Sequence, residues 1–125
     1  MGLLKKLGLV SYPIQNWEQG KKFYGETLGL PVAWFQGDEA GWIQYGDENG
    51  AQLALSLWRD AEKPCRENAV MAIFDVEDVA QAVSELRAKG VRCDDPVTIP
   101  QMVTYSNIYD PEGNRIQIVN EQPPA

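Results

Sequence analysis

A chain of 125 residues and 14.0 kDa is the size of one ordinary domain, and its 44% apolar and 23% charged residues exclude a disordered or membrane-spanning class. The net charge of −7, with no run of Lys or Arg, opposes phosphate backbones and anionic lipid, so neither nucleic acid nor a membrane is an expected partner. Cys65 and Cys93 lack metal-ligand spacing and are too few to staple the domain, and the short apolar opening breaks at Tyr12-Pro13 without a cleavage site, so a reduced, cytoplasmic protein without an export signal is expected.

Leu7 to Tyr12 predicts a strand that ends at Pro13, which cannot donate to a ladder. A helix follows, capped by Asn16, with Trp17, Gly20, Tyr24 and Leu28 on one face and Gly29 suited to the left-handed position after it. Strands are predicted over Val32 to Gln36, Gly41 to Gly46 and Gln52 to Leu57, separated by the turn-prone clusters at 37–39 and 47–50. The charged, aperiodic stretch from Trp58 to Asn68 reads as a linker. Val70 to Val76 then begins the pattern again: Asp78 caps a helix with the stripe Val79, Ala82, Val83 and Leu86, and Gly90 ends it. Val91 to Asp94, Val103 to Tyr109 and Arg115 to Asn120 are three further strands, the last two joined by the turn Asp110-Pro111-Glu112-Gly113-Asn114.

The expected fold is therefore α+β, two βαβββ modules of about residues 7–58 and 70–120 with a linker of about 59–69. Gly29 and Gly90 stand 61 residues apart, and Trp17 and Val79 stand 62 apart, the spacing of a duplicated module. Any two capped helices would share part of that spacing, but here the flanking strands match as well.

Alternation sorts each strand into a face toward its helix and a second face. Leu53, Leu55 and Leu57 point to the helix, so Gln52, Ala54, Ser56 and Trp58 point away. Trp42 and Gln44 join that second face, with Leu9 and Ser11 from the first strand. In the second module Met71, Ile73 and Asp75, and then Arg115, Gln117 and Val119, take the corresponding positions. The parity of Tyr105 to Tyr109 can be read either way by one residue. Such a mixture of aromatic, apolar and sparse polar groups suits a small-molecule pocket, although it also suits contact with another subunit or between the two halves.

The segments Pro13-Ile14-Gln15-Asn16-Trp17-Glu18, Phe23-Tyr24-Gly25-Glu26-Thr27-Leu28-Gly29-Leu30, Phe74-Asp75-Val76-Glu77-Asp78-Val79 and the turn Asp110 to Asn114 resemble, in that order, the vicinal oxygen chelate superfamily. It includes glyoxalase I, extradiol dioxygenases, fosfomycin resistance enzymes and bleomycin resistance proteins. The resemblance implies two modules forming a cupped mixed sheet around a cleft, assembled as a homodimer. In metal-dependent members, His and carboxylate ligands come from the first, fourth, fifth and eighth strands. Those positions fall here on Leu9, on Ala54 or Ser56, on Met71 and on Gln117. The chain contains no histidine, which removes the commonest metal ligand and general base. No metal and no cofactor are expected.

Three functions follow from the resemblance. The first is metal-independent sequestration of a small molecule, as in bleomycin resistance proteins. Trp42 and Trp58 would stack on it, Leu9, Met71 and Ile73 would give apolar contact, and Gln44, Ser56, Asn107, Tyr109, Arg115 and Gln117 would orient it, with Ser11 and Ala54 completing the lining. The net charge favours an aromatic or apolar ligand that is neutral or cationic. The second is a lyase or dioxygenase-like enzyme with atypical or no metal, for which Asp75, Glu77 and Tyr109 are candidates. The third is a dimerising regulatory module whose cleft is filled by its own side chains.

Overall fold

The computed structural model describes residues 3, 5–66 and 69–121. Residues 67 and 68 of the expected linker, and 1, 2 and 4 of the opening segment, lie outside the described residues. The chain divides into two compact units, residues 1–64 and 65–125, and no described helix is long and apolar enough to cross a membrane.

The first unit holds strands β1 (Leu9–Ile14), β2 (Val32–Gly37), β3 (Trp42–Tyr45) and β4 (Gln52–Leu57) in the order β1-β4-β3-β2. β1 runs parallel to β4, and the other pairs are antiparallel. Contrary to the sequence expectation, β1 continues through Pro13, which lies opposite Ser56. The reason is its phase: the carbonyls of Gly8 and Ile14 accept from Gln52 and Trp58 N–H at 3.2 and 2.8 Å, so even-numbered residues turn their backbone groups to β4. Pro13 falls in the opposite phase, where a missing N–H costs no bond to β4.

Helix α1 (Trp17–Lys22) starts where Asn16 Oδ1 accepts the Gln19 N–H at 3.3 Å. It then widens into a π turn over Phe23–Thr27, closed by Leu28 N–H donating to the Phe23 carbonyl at 2.8 Å, before Gly29 turns at φ 73°. Trp17, Gly20, Phe23 and Tyr24 are buried with Tyr12, Ile14, Ile43, Tyr45, Leu53 and Leu55 from one side of the sheet. Gly20 permits this approach, since a Cβ there would stand 2.6 Å from Ile14 Cγ2. Outside this core, Trp17 Nε1 donates to Asp38 at 2.8 Å and Lys21 Nζ reaches the same oxygen at 2.6 Å, and these two donors hold the Asp38 carboxyl below its ordinary range.

The second unit repeats the plan with β5 (Ala72–Asp75), α2 (Val79–Ala88), β6 (Arg92–Cys93), β7 (Val97–Ile99), β8 (Val103–Tyr109) and β9 (Arg115–Glu121). The order is β5-β9-β8-β6, with β5 parallel to β9 and β7 also paired to β8. β7 was not expected from the sequence. It lies end to end with β6 along β8, so one strand position is filled by two pieces broken at Asp94-Asp95-Pro96. Asp78 caps α2 through Gln81 N–H at 3.1 Å, and Asn120 Oδ1 of β9 takes the Val79 N–H at 2.7 Å. Val79 and Val83 are buried with Val91, Ile108, Ile116 and Ile118, while Ala82 and Leu86 of the expected stripe are half-buried.

Candidate ligand-binding faces

In each unit the helix covers one side of the sheet, and the other side carries the residues expected to meet a ligand. Residues paired across neighbouring strands point to the same side, so the register lays out each face in rows. In the first unit one row is Ser11, Ala54, Gln44 and Trp34, running from β1 to β2, and the next is Pro13, Ser56 and Trp42. Leu9 and Gln52 form a third. Trp34 was not foreseen as a member of this face. Register shifts on either side of the Trp34 and Phe35 pairs break the alternation of β2, and they leave Trp34 beside Gln44, 51% exposed.

The polar groups of this face are tied together. Trp42 Nε1 donates to Gln44 Oε1 at 2.8 Å, Gln44 Nε2 to Gln52 Oε1 at 2.6 Å, and Gln52 Nε2 to the Asp47 carbonyl at 3.2 Å. The chain of amides satisfies the indole N–H and fixes the Trp42 ring, leaving its flat surface as contact area. Leu9, Gln44 and Ser56 are half-buried and Ser11 is exposed, whereas Ala54 is fully covered and offers no surface to a ligand. Trp58 lies beyond β4, and its indole donates to the Glu62 carbonyl at 2.7 Å, which ties it to the segment after the sheet.

In the second unit Ile73, Gln117 and Asn107 take the register positions that Ser11, Ala54 and Gln44 take in the first. This places Asn107 and Tyr109 on the same side as Gln117 and Arg115, which resolves the parity of β8. A neighbouring row is Arg92, Tyr109 and Arg115 across β6, β8 and β9. Gln117 Nε2 donates to Asn107 Oδ1 at 3.3 Å, and Asp94 Oδ2 accepts from Asn107 Nδ2 at 3.4 Å and from the Tyr109 hydroxyl at 2.8 Å. Arg92, in β6, and Asp94, just after it, lie in the stretch expected as a strand but were not singled out, because their roles come from Tyr109 and Asn107 across the sheet. Ile73 and Arg115 are exposed, and Met71 is half-buried just before β5.

Asp94 holds the Tyr109 proton, and burial adds to this, so the phenol titrates above its ordinary value and is a poor base at neutral pH. Asp75 is on the open side of β5 opposite Val119, and Glu77 is exposed between β5 and α2. Both border a shallow depression of about 320 Å³ with Val119, Asn120 and Glu121.

The four ligand positions suggested by the family resemblance do not suit a hard divalent ion. Leu9 and Ala54 have no donor atom, Ser56 offers a neutral hydroxyl, Met71 a soft thioether and Gln117 a neutral amide. Among the described residues, no three His, Cys, Asp or Glu side chains converge on a common point.

Comparison with known proteins agrees with the fold. TnmS3, an antibiotic binding protein from Streptomyces sp. CB03234, superposes with a TM-score of 0.76 at 26% identity, covering 98% of this chain and 99% of that one. A glyoxalase/bleomycin resistance protein from the same Streptomyces gives 0.70 at 27% identity over 94% and 100% of the two chains. The uncharacterized protein YetH of Bacillus subtilis (strain 168) is 23% identical over 115 residues, 90% of this chain and 95% of its own. The profile of the Glyoxalase/Bleomycin resistance protein/Dioxygenase superfamily matches residues 6–118, and the chain belongs to that superfamily.

Proposed function

We propose that the protein sequesters an aromatic or apolar small molecule on its open sheet faces, without a metal ion and without transforming it. The observation that carries this reading is the face of the first unit, where Trp34 and Trp42 flank a chain of neutral amides. Flat aromatic surface beside fixed donors and acceptors is the composition of a site that holds planar ligands. The likeness to an antibiotic binding protein at 26% identity supports it, as does a donor set unsuited to holding a divalent cation.

The test is a titration with the neutral fluorophore N-phenyl-1-naphthylamine. Saturable enhancement of its emission is expected in protein dialysed against a chelator, with the same affinity as before dialysis. Trp42→Ala should weaken binding by about tenfold or more, the loss typical of a central aromatic anchor. A stoichiometric transition metal in the purified protein, or an affinity that collapses on chelation, would refute metal independence.

We also propose that the partner is a second copy of the chain, as the resemblance to the superfamily implies. Light scattering should then return twice the 14.0 kDa chain mass. A monomer at every concentration up to about the millimolar range would count against it, since obligate assemblies persist far below that.

A further inference from the structure

We infer that the row of Arg92, Tyr109 and Arg115 is an anchoring subsite for an anionic group, a carboxylate or sulfonate, on an otherwise aromatic ligand. The inference rests on the reading of the open faces as binding surfaces and names the ligand chemistry of one of them.

The strand register carries the geometry. Arg92 lies opposite Tyr109 on one side and Arg115 opposite Tyr109 on the other, so the two arginines flank Tyr109 on one face of the sheet. Neighbouring strands run about 4.8 Å apart, which puts the two arginine backbones about 10 Å from each other. That is a span a single acid group can bridge with two long side chains. The guanidinium carbon of Arg92 stands 3.9 Å from the centre of the Tyr109 ring. The contact and a hydrogen bond toward the Tyr109 hydroxyl hold the group in place, and because a guanidinium carries five N–H donors, others are left for an acceptor.

The ring under it is also held. Tyr109 donates its hydroxyl to Asp94 Oδ2 at 2.8 Å, and Asn107 Nδ2 supports the same oxygen at 3.4 Å. Asp94 therefore fixes Tyr109, and Tyr109 fixes Arg92. A donor ordered before the ligand arrives loses less entropy when it binds. Among the described residues no ion pair engages Arg92, in contrast with Arg66 and Arg87, which are paired with Glu112 and Asp95 at 2.8 Å each. On the same face Ile73 is 57% exposed and supplies apolar surface for the body of the ligand.

The overall charge of −7 suggested a neutral or cationic ligand. Screening limits that field to about 8–10 Å at ordinary salt, so the charges nearest the ligand decide, and here two arginines outnumber the one carboxylate, Asp94, that holds Tyr109.

Two dyes separate the acid group from the body. N-phenyl-1-naphthylamine is neutral, and 8-anilinonaphthalene-1-sulfonate carries the same aromatic frame with a sulfonate. The wild-type protein should bind the sulfonate about tenfold more tightly, and that advantage should shrink as salt is raised. Arg92→Gln and Arg115→Gln should each remove most of the advantage, weakening the sulfonate several-fold more than the neutral dye, and far-ultraviolet circular dichroism should confirm that both variants are folded. Binding of the sulfonate that is indifferent to both substitutions, with the neutral dye still bound, would overturn the subsite and leave the sequestration reading standing. Failure of the wild type to bind either dye would overturn both.

Discussion

Asp110→Ala is expected to cost about 3 kcal/mol of stability, read as a lowered urea midpoint at an unchanged slope. Asp110 is 4% exposed at the end of β8, and its two oxygens hold the whole turn into β9. Oδ1 accepts the N–H groups of Glu112 and Asn114, both at 2.9 Å, and Oδ2 accepts Asn114 Nδ2 at 2.8 Å. Asn114 is itself buried, so alanine would strand two of its donors away from water, and each such group costs about 1–3 kcal/mol. The loss extends to Arg66, whose Nε donates to Asn114 Oδ1 and whose guanidinium pairs with Glu112, both at 2.8 Å. Asp110→Asn keeps one acceptor and should fall between the two. A midpoint shift equivalent to less than about 1 kcal/mol for the alanine variant would show that the turn does not depend on this carboxylate.

This turn was readable in the sequence because its chemistry is local: an Asp that closes on N–H groups two and four residues ahead, and a Gly at φ 91°. The boundaries of β4 and β8 were also readable, although only β4 alternates cleanly enough to give its parity. What could not be read depends on partners far along the chain. Pro13 looks like a strand end until β4 is placed beside β1 in the phase that ignores its missing N–H. β7 is three residues, Val97–Ile99, and exists only as a partner for Val103 to Tyr105. Trp34 joined the open face because two register shifts altered the alternation of β2, and no residue type in that stretch marks a bulge. The same limit hid Arg92 and Asp94, whose roles follow from facing Tyr109 and Asn107 across the sheet. Most residues of the open faces, polar and apolar alike, were thus visible as strand parity, while Trp34, Arg92 and Asp94 were not.

Tyr24→Ala should be as damaging as the Asp110 change or more so, with an expected loss of about 3–5 kcal/mol. Tyr24 is completely buried, and its ring centre lies 5.1 Å from Phe23, 6.2 Å from Tyr45 and 6.3 Å from Tyr12. The Phe23 contact is edge-to-face and the Tyr12 contact is stacked, so alanine removes both aromatic pairings as well as the buried area. The surroundings cannot close the gap easily. Gly20 already sits against Ile14, and the π turn that carries Tyr24 is pinned by Leu28 and Leu30 N–H groups on the Phe23 and Tyr24 carbonyls, at 2.8 and 3.1 Å. Tyr24→Phe keeps the ring and should retain most of the stability. The consequence reaches the proposed binding face through the strands, because Tyr12 and Tyr45 are the chain neighbours of Ser11 and Gln44 on the opposite side of the same sheet. At temperatures where Tyr24→Ala remains folded, its affinity for N-phenyl-1-naphthylamine should fall, and Tyr24→Phe should restore it. An alanine variant that melts within a few degrees of wild type would mean that the aromatic cluster is not the support of this sheet.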